Sequence, residues 1–123
     1  MEQKKHLFEL LQEICANDKR YELEAYNFVL LALNYTMGKH ERPRHVSGRE
    51  LMEGIREYAL DQFGPLVRTV FEHWGIHTSD DFGEIVFNLV NNGLLGKSEN
   101  DSKDDFHNVF DFEEVFDNPF KAN

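Results

Sequence analysis

The stretch from Arg44 to Gly64, RHVSGRELMEGIREYALDQFG, reads as a helix with both ends marked. Ser47 is a good N-cap, because its side-chain oxygen can accept a backbone N–H of the first turn. Glu50 stands where a capping box places its reciprocal acceptor, and Val46 and Leu51 occupy the two positions of a hydrophobic staple. Leu51, Ile55, Tyr58, Ala59 and Phe63 then recur on one face at helical spacing. Gly64 ends the helix. Pro65 can open the next one, since its missing N–H would be unpaired there anyway.

Upstream, residues Lys4 to Ala16 put Leu7, Leu10, Leu11 and Ile14 on one face with Glu9, Gln12 and Glu13 opposite, a surface helix with one buried stripe. Asn17 and Asp18 break it. From about Arg20 to Met37 the chain is apolar nearly all the way round (Tyr26, Phe28, Val29, Leu30, Leu31, Ala32, Leu33). A helix of that kind is touched on several sides and sits centrally. A buried strand is the alternative for the short run, and the length with its flanks favours helix. Gly38 is a natural stop. Lys39 to Arg44 form a basic loop in which Pro43 disfavours helix.

Downstream, the helix opened by Pro65 turns Leu66, Val67, Val70, Phe71 and Trp74 inward and ends at Gly75. Thr78 or Ser79 caps the next helix, with Asp80 and Asp81 near its positive end. Phe82, Ile85, Val86, Leu89 and Val90 give the clearest helical face in the sequence, closed by Gly93. Two short extended pieces are expected next, Leu94 to Ser98 and about Phe106 to Phe110, with ENDSKDD between them as a polar hairpin tip. Asp111 with Glu114 can cap one last turn burying Phe112, Val115 and Phe116.

At 123 residues with 41% hydrophobic composition and eleven Phe, the chain can build one domain with a genuine core. The net charge is −10. Up to Glu50 eight basic and eight acidic side chains cancel; from Leu51 onward five basic face fifteen acidic. That balance opposes general affinity for nucleic acid or an anionic membrane. The single cysteine, Cys15, allows no internal disulfide or cysteine metal cluster. The N-terminal MEQKKHLFELLQEI has no apolar signal core, and FVLLAL is far too short to span a bilayer. A cytoplasmic location is the expectation.

A helix, a turn carrying Gly75, a second helix ending at Gly93 and a hairpin with a polar tip follow the order of a winged helix-turn-helix module. A plain helical bundle with an irregular tail explains the same periodicities. If the winged arrangement holds, the second helix is the one that would enter a major groove. Its solvent side would offer Asp80, Asp81, Glu84, Asn88, Asn91 and Asn92 with no Lys or Arg, and the tip is acidic too. Both would repel phosphates.

The basic loop is the other place for an anion. Arg42, Arg44, His45 and Arg49 surround the start of the capped helix, where free N–H groups and the dipole attract negative charge. The competing and favoured reading pairs these arginines with the acidic second part of the chain or leaves them in water. The histidines lack metal-binding spacing: His40 and His45 lie across a loop, and His73 and His77 straddle Gly75. Cys15 reads as a buried thiol beside an apolar face. Phe106, Phe110, Phe112 and Phe116 alternate with acidic residues. They either close the core, the favoured reading, or form an exposed protein-binding strip with an acidic rim.

From about Tyr26 to Phe116 the sequence resembles a small bacterial family of uncharacterised proteins labelled Minf. The resemblance is carried by His45-Val46-Ser47-Gly48 with Glu50-Leu51, Gly54-Ile55-Arg56, Phe63-Gly64, Trp74-Gly75-Ile76, Asp81-Phe82-Gly83, Val86-Phe87 and Leu89-Val90. Asp101-Ser102, Asp104-Asp105-Phe106 and Asp111-Phe112 complete it. It implies a bacterial, soluble, single-domain protein. The family has no assigned activity, substrate or cofactor, so the resemblance implies no catalytic residue.

The sequence therefore predicts a mainly α domain with a small C-terminal β-hairpin, winged-helix-like, over residues 1–123. Helices fill 1–40, the winged part 44–117, and a frayed tail 118–123. The expected function is non-enzymatic binding of another protein or self-association, without cofactor, metal or membrane. The second expectation is a nucleic-acid-associated regulator holding phosphate through loop 39–49. An enzyme using that loop for an anionic substrate comes third.

Overall fold

The structure is a computed structural model that describes residues 2–39, 41, 46–96, 106–107, 111–117 and 119. Among the described residues five α-helices carry the fold: α1 (Glu2–Asn17), α2 (Leu23–Met37), α3 (Gly48–Phe63), α4 (Val67–Trp74) and α5 (Ser79–Asn91). A short 3-10 turn, Gly64–Leu66, joins α3 to α4, and one π-helical turn covers Glu113–Asp117.

The all-round apolar helix is central. α2 packs against α1, α3, α4 and α5, and buries Ala25, Tyr26, Phe28, Val29, Ala32 and Thr36. Its closest neighbour is α3, and a glycine sets that approach. A Cβ on Gly54 would come within 1.7 Å of Thr36 Oγ1, and that hydroxyl already donates to the Ala32 carbonyl at 2.8 Å.

α3 begins as its local chemistry dictates. The Glu50 N–H donates to Ser47 Oγ at 3.1 Å, and the Ser47 N–H donates to Glu50 Oε1 at 3.0 Å. Both donors are orphans of the first turn, so the box satisfies them reciprocally. Val46 and Leu51 are both buried.

α4 and α5 end alike. Gly75 and Gly93 adopt left-handed backbone, φ 89° and 75°. In each case the next residue donates back to the last turn: Ile76 N–H to the Phe71 carbonyl at 2.8 Å, Leu94 N–H to the Leu89 carbonyl at 2.9 Å. This is the Schellman arrangement, in which an apolar residue after the glycine folds back on the helix.

That ending accounts for one departure from expectation. The C-terminal β-hairpin is not present: the described residues contain no strand. Leu94 and Leu95, read as the start of an extended piece, lie in the turn after α5 and pack partly buried against the core. Their apolar character serves the helix end, so the winged-helix comparison loses the element that defined it. Phe106, expected in the second strand, sits in a short helical turn. The polar tip, 97–105, and residues 108–110 of the expected strand lie outside the described residues, as does the tail from 120.

Leu66 is a second departure. It was expected inward and is 63% exposed. Pro65 opens a 3-10 turn closed by Val67 N–H on the Gly64 carbonyl. The tighter winding shifts the phase, so Val67 and Phe71 face the core while Leu66 faces water.

Phe106, Phe112 and Phe116 return to the core as side chains. Phe71 meets Phe112 and Phe116 at ring-centroid distances of 5.9 and 5.3 Å, and Phe82 at 5.3 Å. Asp111 starts the final turn, its carbonyl accepting from Val115 N–H at 2.9 Å.

Candidate functional site

Two regions singled out in the sequence resolve differently. Of the basic loop, Arg42, Arg44 and His45 lie outside the described residues. Arg49 is exposed on the first turn of α3. Lys39, at the loop's start, forms an ion pair with Glu57 of α3, and its ammonium lies 5.2 Å from the Tyr35 ring centroid. That hydrogen bond holds the Glu57 carboxyl below its ordinary range and the Lys39 ammonium above its own.

Of the aromatic strip, Phe106, Phe112 and Phe116 are buried, and Phe110 lies outside the described residues. Those three side chains close the core, so they are not available as a surface. Phe106 packs on Gly83, where a Cβ would approach its own Cβ to 2.9 Å. The Ser79 hydroxyl donates to the Phe106 carbonyl at 2.7 Å. Sequence reading offered Ser79 as a cap; its hydroxyl instead tethers the C-terminal segment.

The polar side of α5, read as a solvent-facing surface, is partly covered by the α1–α2 corner. Asn88 donates to Asp18 Oδ2 and to the Tyr26 hydroxyl, each at 3.0 Å. Arg20 bridges Asp18 at 2.6 Å and Glu84 at 3.2 Å. The Tyr21 hydroxyl donates to Asp81 Oδ1 at 2.6 Å, and Asp81 Oδ2 also accepts the N–H groups of His77 and Thr78. The Arg20 hydrogen bond holds Asp18 well below the carboxylate range. Burial pushes the Tyr21 phenol up and Tyr26 to about 12. These groups satisfy one another, so the cluster is a clasp between the α1–α2 corner and α5. Cys15 has its thiol pushed up by burial and by nearby Glu22, Glu24 and Asp18. A thiol kept protonated is a poor nucleophile.

A groove between α2, α3 and the end of α4 is the feature that sequence reading missed. Glu24, Asn27, Phe28 and Leu31 fall at i, i+3, i+4 and i+7 on α2 and form one wall. Tyr58 and Gln62, one turn apart on α3, form the other with Phe63, and Trp74 closes one end. The space is about 270 Å³ and opens to solvent. Phe28 is buried and touches the other three rings, with centroids 5.5 Å from Tyr58, 5.6 Å from Phe63 and 5.4 Å from Trp74. The Trp74 backbone carbonyl accepts the Glu22 N–H at 3.2 Å, tying the end of α4 to the start of α2. Leu31 stands on the lip, 44% exposed. Each ring was legible as apolar; that they leave a gap depends on how the three helices cross.

Among the described residues no three His, Cys, Asp or Glu side chains converge as metal ligands, and no helix is long and apolar enough to cross a membrane. No family model, no curated protein and no solved structure matches the chain.

Proposed function

We propose that the protein is a non-enzymatic protein-binding module whose partner docks in the groove between α2, α3 and α4. The observation that carries this reading is the groove itself. Trp and Tyr are the residues that most often dominate binding energy when set in a pocket, and here Tyr58 and Trp74 share one opening with an exposed leucine. Small-molecule sites run from about 300 to 1,000 Å³. A space just below that range suits one or two anchoring side chains better than a cofactor. The described groups best able to carry chemistry are occupied: Asp81 accepts three hydrogen bonds and Cys15 is held protonated.

The test is capture from a nuclease-treated lysate of the native host, comparing the wild type with Leu31→Glu and Leu66→Glu. Both leucines are exposed, so both variants keep the fold. A protein retained by Leu66→Glu and lost by Leu31→Glu supports the reading. Capture that Leu31→Glu leaves intact, or that disappears with nuclease, overturns it.

A further inference from the structure

The protein-binding reading leaves open what the groove takes, and the rings and charges around it narrow that. Its lining holds four aromatic side chains and a single charged residue, Glu24, with no Lys, Arg or His. Aromatic faces carry negative electrostatic potential and attract cations. A carboxylate beside them adds to that field. Among the described residues no hydrogen bond or ion pair occupies the Glu24 carboxylate. The chain as a whole is acidic, with a net charge of −10.

The same combination is already filled one ring further along. Tyr35 touches Tyr58, centroids 5.3 Å apart, and continues the aromatic row out of the groove. Over Tyr35 lies the Lys39 ammonium, ion-paired with Glu57. A ring face with an adjacent carboxylate thus holds a lysine of this chain. The groove presents rings and a carboxylate without one.

We propose that the groove receives a lysine side chain of the partner protein, its methylene stem along Leu31 and Phe28 and its ammonium between the Trp74 and Tyr58 rings and Glu24. This rests on the docking reading above and specifies its occupant. A lysine suits the site on both counts, because its stem is apolar while its head is a compact charge.

Trp74 is the sole tryptophan of the chain, so its fluorescence reports on the groove directly. The probe is a capped pentapeptide with lysine at its centre between two leucines, titrated into the full chain. Its counterpart carries norleucine, which keeps the stem and removes the charge. The lysine peptide is expected to quench Trp74 and to bind about fivefold more tightly than the norleucine peptide, as an exposed cation–π contact with a carboxylate neighbour gives. Glu24→Gln, an exposed substitution in the first turn of α2, should narrow that difference with at most a small change in the thermal melt. Norleucine binding equal to or tighter than lysine overturns the lysine assignment and leaves the docking reading standing. Silence from both peptides also overturns it, and the docking reading is then decided by the Leu31→Glu capture alone.

Discussion

The Tyr21 hydroxyl reaches the Asp81 carboxylate across 2.6 Å, joining the start of the central helix region to the first turn of α5. Asp81 meanwhile caps that turn through His77 and Thr78. One carboxylate therefore starts a helix and ties it to a residue sixty positions earlier. Tyr21→Phe removes the long-range bond and leaves the cap. A hydrogen bond to a charged group contributes about 1.5–3 kcal/mol; with Tyr21 buried, a loss in the lower half of that range is expected in urea unfolding.

The same phenols set an alkaline limit. Burial raises the folded-state pKa of Tyr21 and Tyr26 above the ordinary 10.0. As pH rises past that value the unfolded chain releases its phenolic protons first, so stability falls with further rise. For Tyr26 the window runs from 10.0 to about 12. Unfolding midpoints at about pH 8 and about pH 11 should drop between the two for the wild type, and drop less for Tyr21→Phe. Equal declines in both proteins would remove Tyr21 from this account.

At the acid end the sign reverses. Asp18 is depressed, first by its hydrogen bond with Arg20. Its contribution is present above the unfolded value of 3.8 and is lost as pH falls through and below it. The pair is open to solvent on the arginine side, 54% exposed, so screening limits its worth. Asp18→Asn should cost about 1 kcal/mol at neutral pH, and the gap between the two proteins should narrow progressively as pH falls from 3.8 toward the lower folded-state value.

Helix-to-helix contact gives a coupled pair. Gly54→Ala improves intrinsic helix propensity by about 1 kcal/mol, yet the new methyl would sit 1.7 Å from Thr36 Oγ1. Thr36 is buried and its hydroxyl is bonded to Ala32, so rotation away breaks a bond inside the core. A net loss of about 2 kcal/mol or more is expected. Thr36→Ala removes the hydroxyl and methyl and leaves only a Cβ at 3.0 Å. The double variant should therefore be more stable than additivity allows, read as a positive coupling in a thermal double-mutant cycle.

What could be read from the sequence was what is local. Ser47 and Glu50 lie three apart and make their box wherever the helix packs. Gly75 and Gly93 stop helices because left-handed backbone suits glycine, and the residue after each is apolar. Leu94 shows where local reading fails: an apolar residue beside a polar run fits a strand start and a helix end equally well, and the tertiary core decided. Asn88 and Asp81 looked solvent-facing because their partners, Asp18, Tyr26 and Tyr21, are some sixty to seventy residues away. The groove was hidden for a related reason. Phe28, Phe63 and Trp74 all read as inward residues, and only the relative placement of three helices leaves space beside them.

The C-terminal turn separates core from interface most directly. Phe116 is fully buried, 5.3 Å from Phe71 and 5.0 Å from Phe112 between ring centroids. Outside it, Arg68 holds Asp117 at 3.0 Å, with its guanidinium 5.6 Å from the Phe112 ring. Burial of a phenylalanine in such a cluster makes its truncation cost about 3–5 kcal/mol. The partly buried pair outside contributes about 1 kcal/mol. Phe116→Ala should therefore lower the melting temperature steeply, whereas Asp117→Asn should lower it by a small amount. Phe8→Ala, at a residue 52% exposed on α1, should change it little. If Phe116→Ala melted like the wild type but altered the mass measured by light scattering, the ring would be serving an interface between molecules and its place in the core would be refuted.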